Sequence, residues 1–96
     1  MTINLDTLIS ISEEIYTQEI GEETILLDTL GGLYFGLDPV GTRMWQLLRQ
    51  HGALRPAYET LLTEYEVAPE RLEADLLALT EKMIEKGLAE IRAAAE

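Results

Sequence analysis

The stretch LLDTLGGLYFGLDPVGTRMWQLL, Leu26 to Leu48, changes rhythm partway along. Up to Leu37 its apolar residues alternate with a period of two, the repeat of a half-buried strand. Beyond Asp38-Pro39 they recur as Val40, Met44, Trp45 and Leu48, the repeat of a helix face. The chain must therefore pass from sheet to helix at Asp38, and any fold has to be built around that junction. Asp38-Pro39 is itself a helix start. The carboxylate can accept free backbone N–H groups, and proline suits the first helical position. Upstream, Gly31-Gly32 permits the positive φ of a tight hairpin. On the returning strand, Leu33, Phe35 and Leu37 share one face, with Tyr34 and Gly36 on the other.

The rest of the chain extends this order. Residues 8–37 read as strands: Glu13 to Ile20, then Glu23 to Leu30, then Leu33 to Leu37. The spacing predicts helices over 39–51, 55–66 and 69–87. Gly52 follows His51 as a helix stop, and His51 there sits near free carbonyls. Leu54, Tyr58, Leu61, Leu62 and Tyr65 mark the second helix. Pro69 opens the third, although Ala68 offers no capping side chain. In that helix acids come early and lysines late, matching the helix dipole. Gly87 ends it, and Leu88 to Ile91 read as a short tail. No repeat, linker or low-complexity segment divides the 96 residues, so 1–96 is expected to be a single domain.

Composition removes several classes of function. There is no cysteine, so disulfides, thiolate metal sites and cysteine nucleophiles are excluded. Eighteen acids against seven bases give a formal charge of −11, which repels polyanions and argues against nucleic acid as a partner. The N-terminal MTINLDTLIS has neither the basic start nor the long apolar run of a signal peptide. No apolar stretch approaches the roughly 20 residues of a membrane span, so no membrane partner is expected. A cytoplasmic location follows as an expectation.

Catalytic chemistry finds no foothold. His51 is the single histidine. The carboxylates form a solvated coat: Glu13, Glu14, Glu22 and Glu23 bracket strands and turns, while Glu70, Glu73 and Asp75 open a helix. Gly31, Gly32 and Gly36 lack the lysine and spacing of a phosphate loop. A carrier protein would need a serine at a helix start, whereas Ser10 and Ser12 precede the strands. No cofactor or metal is implied.

What remains is surface. A three-stranded sheet has two edges, each offering unpaired N–H and C=O groups to an extended peptide. In the third helix Leu72, Leu76, Leu79 and Met83 form one stripe. Leu77, Ile84 and Leu88 cluster about 120° to 160° round. Either both stripes serve the core, or one lines a groove between sheet edge and helix.

LGGLYFGLDPVGTRMWQLL followed by LLTEYEVAPERLEADLLALTEKMIEKGL resembles the PqqD-like family, the RiPP recognition elements. Stand-alone versions from lasso peptide biosynthesis are the most similar in size. The resemblance runs from Ser10 to Ile91 and is most specific at Tyr34, Phe35, Gly36, Leu37, Asp38, Gly41 and Trp45. Family members often have asparagine where Asp38 stands; both residues cap helices.

The resemblance implies an α+β, winged helix-turn-helix-like fold: a three-stranded antiparallel sheet followed by three helices. It also implies a binding protein that is not an enzyme. The partner would be the leader region of a ribosomally made precursor peptide, added as a strand beside Leu33–Leu37 and presented to a leader peptidase and a cyclase. The peptide-binding residues implied are Leu27, Leu33, Tyr34, Phe35, Gly36 and Leu37, with Leu72, Asp75, Leu76, Leu79, Lys82 and Met83 from the third helix. Two alternatives stay open on sequence. One is an acidic winged-helix transcription regulator, although Arg55 is the only base near the start of its would-be recognition helix. The other is a structural subunit of an enzyme complex.

Overall fold

Two tight turns decide the main sheet. The computed structural model describes residues 3–29 and 31–92, and for Leu33 the backbone. Within it β2 (Ile15–Ile20), β3 (Glu23–Asp28) and β4 (Leu33–Leu37) pair antiparallel in the order β2-β3-β4, and β1 (Leu8–Ile11) precedes them. At the β3–β4 turn the glycines serve different needs. Gly32 takes φ +69°, which a side chain would resist, whereas a Cβ at Gly31 would lie 2.8 Å from Asp28 Oδ2. The middle strand was expected to reach Leu30; β3 ends at Asp28, and Leu30 lies outside the described residues.

Register fixes the faces. Leu26 opposes Phe35 and Thr24 opposes Leu37, and both pairs face inward. Leu27 opposes Tyr34 and Ile25 opposes Gly36 on the outer face.

Three helices follow: α1 (Pro39–His51), α2 (Leu54–Glu64) and α3 (Pro69–Glu85). Asp38 caps α1, its Oδ1 accepting the Gly41 N–H at 2.6 Å, and Pro39 takes the first turn. Ala68 makes no side-chain cap at α3, as the sequence leads one to expect. The core lies between helices and sheet. Met44, Trp45, Leu47 and Leu48 of α1 are buried with Leu54, Ala57 and Leu61 of α2 and with Leu72, Leu76 and Met83 of α3. Leu26 and Leu37 close it from the sheet. Leu77 and Ile84, on the second stripe of α3, pack half-buried against the same core, and Leu88 is fully buried. The result is the expected α+β arrangement, a three-stranded antiparallel sheet followed by three helices.

One departure concerns the chain ends. The segment Leu88–Ile91, read above as a tail, contributes to β5 (Ala89–Arg92). That strand pairs antiparallel with β1 in a separate two-stranded sheet. Each strand is only four residues long and its partner is distant in sequence, so no local pattern announces the pairing. Gly52 ties this small sheet to α1. Its carbonyl accepts the Ile9 N–H at 2.9 Å and Arg92 Nη2 at 3.1 Å, while its own N–H closes α1 on the Leu48 carbonyl. Its φ of +64° and the Ile9 carbonyl, 3.2 Å from where a Cβ would sit, leave little room for any other residue.

Arg43 on α1 grips Glu64 at the end of α2 through Nε–Oε1 at 2.8 Å and Nη2–Oε2 at 2.7 Å. The hydrogen bond from Arg43 holds the Glu64 carboxyl below its usual range. A depressed carboxyl stabilises the fold above its unfolded value, and that contribution fades as pH falls through the folded value. Both side chains are about one-third exposed, so the effect is that of a surface pair. Glu64→Gln should lower the melting temperature by about 2–4 °C near neutral pH. The gap to wild type should close as the solution is acidified through the carboxylate range; calorimetry across pH measures it.

Candidate functional site

β4 ends the sheet, so one of its edges carries no strand among the described residues. Its alternate N–H and C=O groups point there, while those between them bond to β3. Beside this edge lies a cleft of about 530 Å³. Phe35, Gly36 and Leu37 form its sheet wall, Asp75, Leu79 and Lys82 the α3 wall, and Val40, Gly41 and Met44 of α1 its end.

The cleft exists because side chains, not backbones, bridge β4 and α3. Lys82 Nζ lies 5.4 Å from the centroid of the Phe35 ring, a cation–π distance. Phe35 is half-buried beneath it, and Leu79 is half-buried opposite. Val40 is exposed at the cleft end. The floor is thus apolar, and the rim carries the carboxylates of Asp38 and Asp75 and the Lys82 ammonium. An edge strand with an apolar slot beside it can hold an extended peptide: backbone pairing gives affinity, and alternate side chains enter the slot. Among the described residues, no group of three or more His, Cys, Asp or Glu is placed to hold a metal.

The expected binding residues divide into groups. Phe35, Gly36, Leu37, Asp75, Leu79 and Lys82 meet at the cleft. Tyr34, 66% exposed, and Leu27 lie together on the outer face of the sheet. They can touch only the outward side chains of a segment added to β4. The side chain of Leu33 lies outside the described residues. Leu72, Leu76 and Met83 are placed in the core, and Leu76 and Met83 have no exposed surface at all. They share a helical stripe with Leu79, but Leu79 lies at the edge of that stripe next to Asp75 and Lys82, so the other three support the wall without lining it.

Gly36 lies on the outer face of β4, opposite Ile25. A Cβ there would meet nothing within 4 Å, so packing inside the chain does not call for glycine. The sequence reading missed the α1 contribution. Val40 and Met44, four apart on one helical stripe, were legible as a face, yet nothing in the spacing said that the face ends at a sheet edge.

Comparison with known proteins adds the following. Residues 23–89 match the PqqD family, described as coenzyme PQQ synthesis protein D. No curated protein matches the chain. The structure of TbiB1 in complex with the TbiA(beta) leader peptide is similar, with 31% identity over 91% of this chain and 99% of that one, at a TM-score of 0.77. A lasso peptide synthetase B1 complexed with the leader peptide is 27% identical over 85% of this chain and 96% of the other, at a TM-score of 0.75.

The division between core and cleft can be checked by stability alone. Met83→Glu would bury an unpaired carboxylate, at a cost of several kcal/mol against a total of about 5–15 kcal/mol. It should abolish the cooperative melt. Leu79→Glu places the same charge at the solvent-facing cleft and should leave the transition intact. Thermal denaturation followed by circular dichroism distinguishes the two positions.

Proposed function

We propose, from the premise that this chain belongs to the PqqD family, that it binds the leader region of a ribosomally made precursor peptide as a strand added to β4. The observation that carries this reading is the open β4 edge running along an apolar cleft, in a chain whose solved likenesses are leader-peptide complexes. In this reading the leader's backbone pairs with the outward N–H and C=O groups of residues 33–37. Its inward apolar side chains seat between Phe35, Leu79 and Val40. Its outward side chains lie near Tyr34, Leu27 and the open surface at Gly36. Backbone pairing tolerates varied sequences, while the cleft selects the anchors.

The pathway proposed is lasso peptide biosynthesis. The bound leader is presented to a leader peptidase and a cyclase, and this chain performs no chemistry itself. The working unit is residues 1–96 as one domain, acting in the cytoplasm. The transcription-regulator alternative finds little support in the charge. Arg55, the base at the start of α2, is held by Asp6 at 3.0 Å, and Glu59 and Glu64 follow on the same helix.

Titration of the protein with a fluorescent leader peptide, read by polarisation, tests the proposal. Saturable one-to-one binding is expected. Leu79→Glu should lose roughly 2–4 kcal/mol of binding while remaining folded, as an interface anchor does. Proline at Tyr34 or Phe35 removes one N–H, and only one of these two points at the open edge. One proline variant should therefore fold and fail to bind, and the other should lose the fold. If every folded variant of residues 33–37 and of Leu79 binds like wild type, the β4 cleft is not the leader site.

A further inference from the structure

The three-stranded sheet has a second open edge. β2 is its other terminal strand, and no strand pairs with its outer side among the described residues. Along the inner face of that edge runs another cleft, of about 540 Å³, walled by Thr17, Glu19 and Thr24 of the sheet and by α1 residues including Gln46 and Arg49. Arg49 holds its guanidinium 6.0 Å from the centroid of the Trp45 ring. It makes no ion pair among the described residues, in a chain with 18 acids and 7 bases. At the cleft wall Thr24 is 1% exposed, and its buried Oγ1 has no hydrogen-bond partner among the described residues. Such orphaned groups are uncommon in folded proteins.

The outer side of the same edge has the opposite character. Tyr16 and Ile20, both facing outward, are 61% and 56% exposed. Exposed carboxylates stand at each end of the strand, Glu13 and Glu14 before it and Glu22 and Glu23 after it.

Those carboxylates decide between occupants. A second copy pairing antiparallel here, with Gln18 opposite Gln18, would bring Glu13 and Glu14 of each copy up to the Gly21–Glu22 turn of the other, where Glu23 begins β3 beside Ile20. Two chains each of formal charge −11 add to the repulsion. A segment with basic ends would instead be attracted by the same four groups.

We propose that the β2 edge is a second strand-docking site, which takes an extended segment of a partner protein. Strand pleating sets the segment's chemistry. Its ends are basic, one near Glu13 and Glu14 and the other near the turn that carries Glu22 and Glu23. Its outward residues are apolar, against Tyr16 and Ile20. Its inward residues carry a carboxamide, which can accept from Arg49 without setting a second carboxylate beside Glu19. The site lies across the sheet from β4, so it can be filled while β4 is occupied, and it does not depend on what β4 binds.

A peptide array probed with labelled full-length protein tests this. One set of peptides, about nine residues long, has Lys or Arg at the ends and apolar residues alternating with Asn or Gln between; the other set shuffles the same residues. The patterned set should bind at least about tenfold more strongly. Binding to it should fall about tenfold or more in Arg49→Glu and in Ile20→Lys, weaken with salt, and persist in Leu79→Glu. Both altered side chains are exposed, and melts verify folding; Tyr16→Lys replaces Ile20→Lys should that variant unfold. The proposal is overturned if shuffled peptides bind equally, or if either folded variant binds like wild type. It is also overturned if sedimentation shows a homodimer that Ile20→Lys dissociates.

Discussion

The Asp38 carboxylate bonded to the Gly41 N–H is the hinge pin of this molecule. It stops β4 at Leu37 and starts α1 two residues later, so helix and strand leave one point in different directions. The Thr42 N–H on the Asp38 carbonyl, at 2.7 Å, locks the first turn. Since α1 begins there, its buried face of Met44, Trp45, Leu47 and Leu48 meets the sheet on one side and α2 on the other. Its far end, at Gly52, gathers β1 and β5. The cleft beside β4 is the space this junction leaves: Val40 and Met44 close its end because α1 starts where the edge strand stops.

Much of this was legible in the sequence, for local reasons. Asp38-Pro39 and Gly52 act on groups within one turn of themselves, so residue type alone announces them. The hairpin at Gly31-Gly32 is equally local. The β1–β5 sheet was not legible, because its signal is two four-residue strands whose partner is at the other end of the chain. The site divides in the same way. Strand alternation put Phe35 and Leu37 on one face and helical spacing put Leu79 on a stripe, while the family resemblance named these and Lys82 as peptide-binding. Leu72, Leu76 and Met83 carry the same spacing yet are buried, since periodicity says which residues share a face and not what the face meets.

The open edges tie the acidity of the chain to its architecture. Exposed strand edges invite unwanted pairing, and charge is a common way to prevent it. Here the carboxylates cluster at the ends of β2, whereas the β4 edge sets the Asp38 and Asp75 carboxylates and the Lys82 ammonium, over the Phe35 ring, around an apolar slot. The two edges of one small sheet thus differ in what they repel and what they admit.

Amide hydrogen exchange, resolved by residue and measured with and without the leader peptide, tests the central claim most directly. Strand addition at β4 predicts that leader slows exchange at alternate amides of residues 33–37, those pointing to the open edge, and leaves β2 amides unchanged. Protection at β2 or on α2, with none gained along β4, would contradict it.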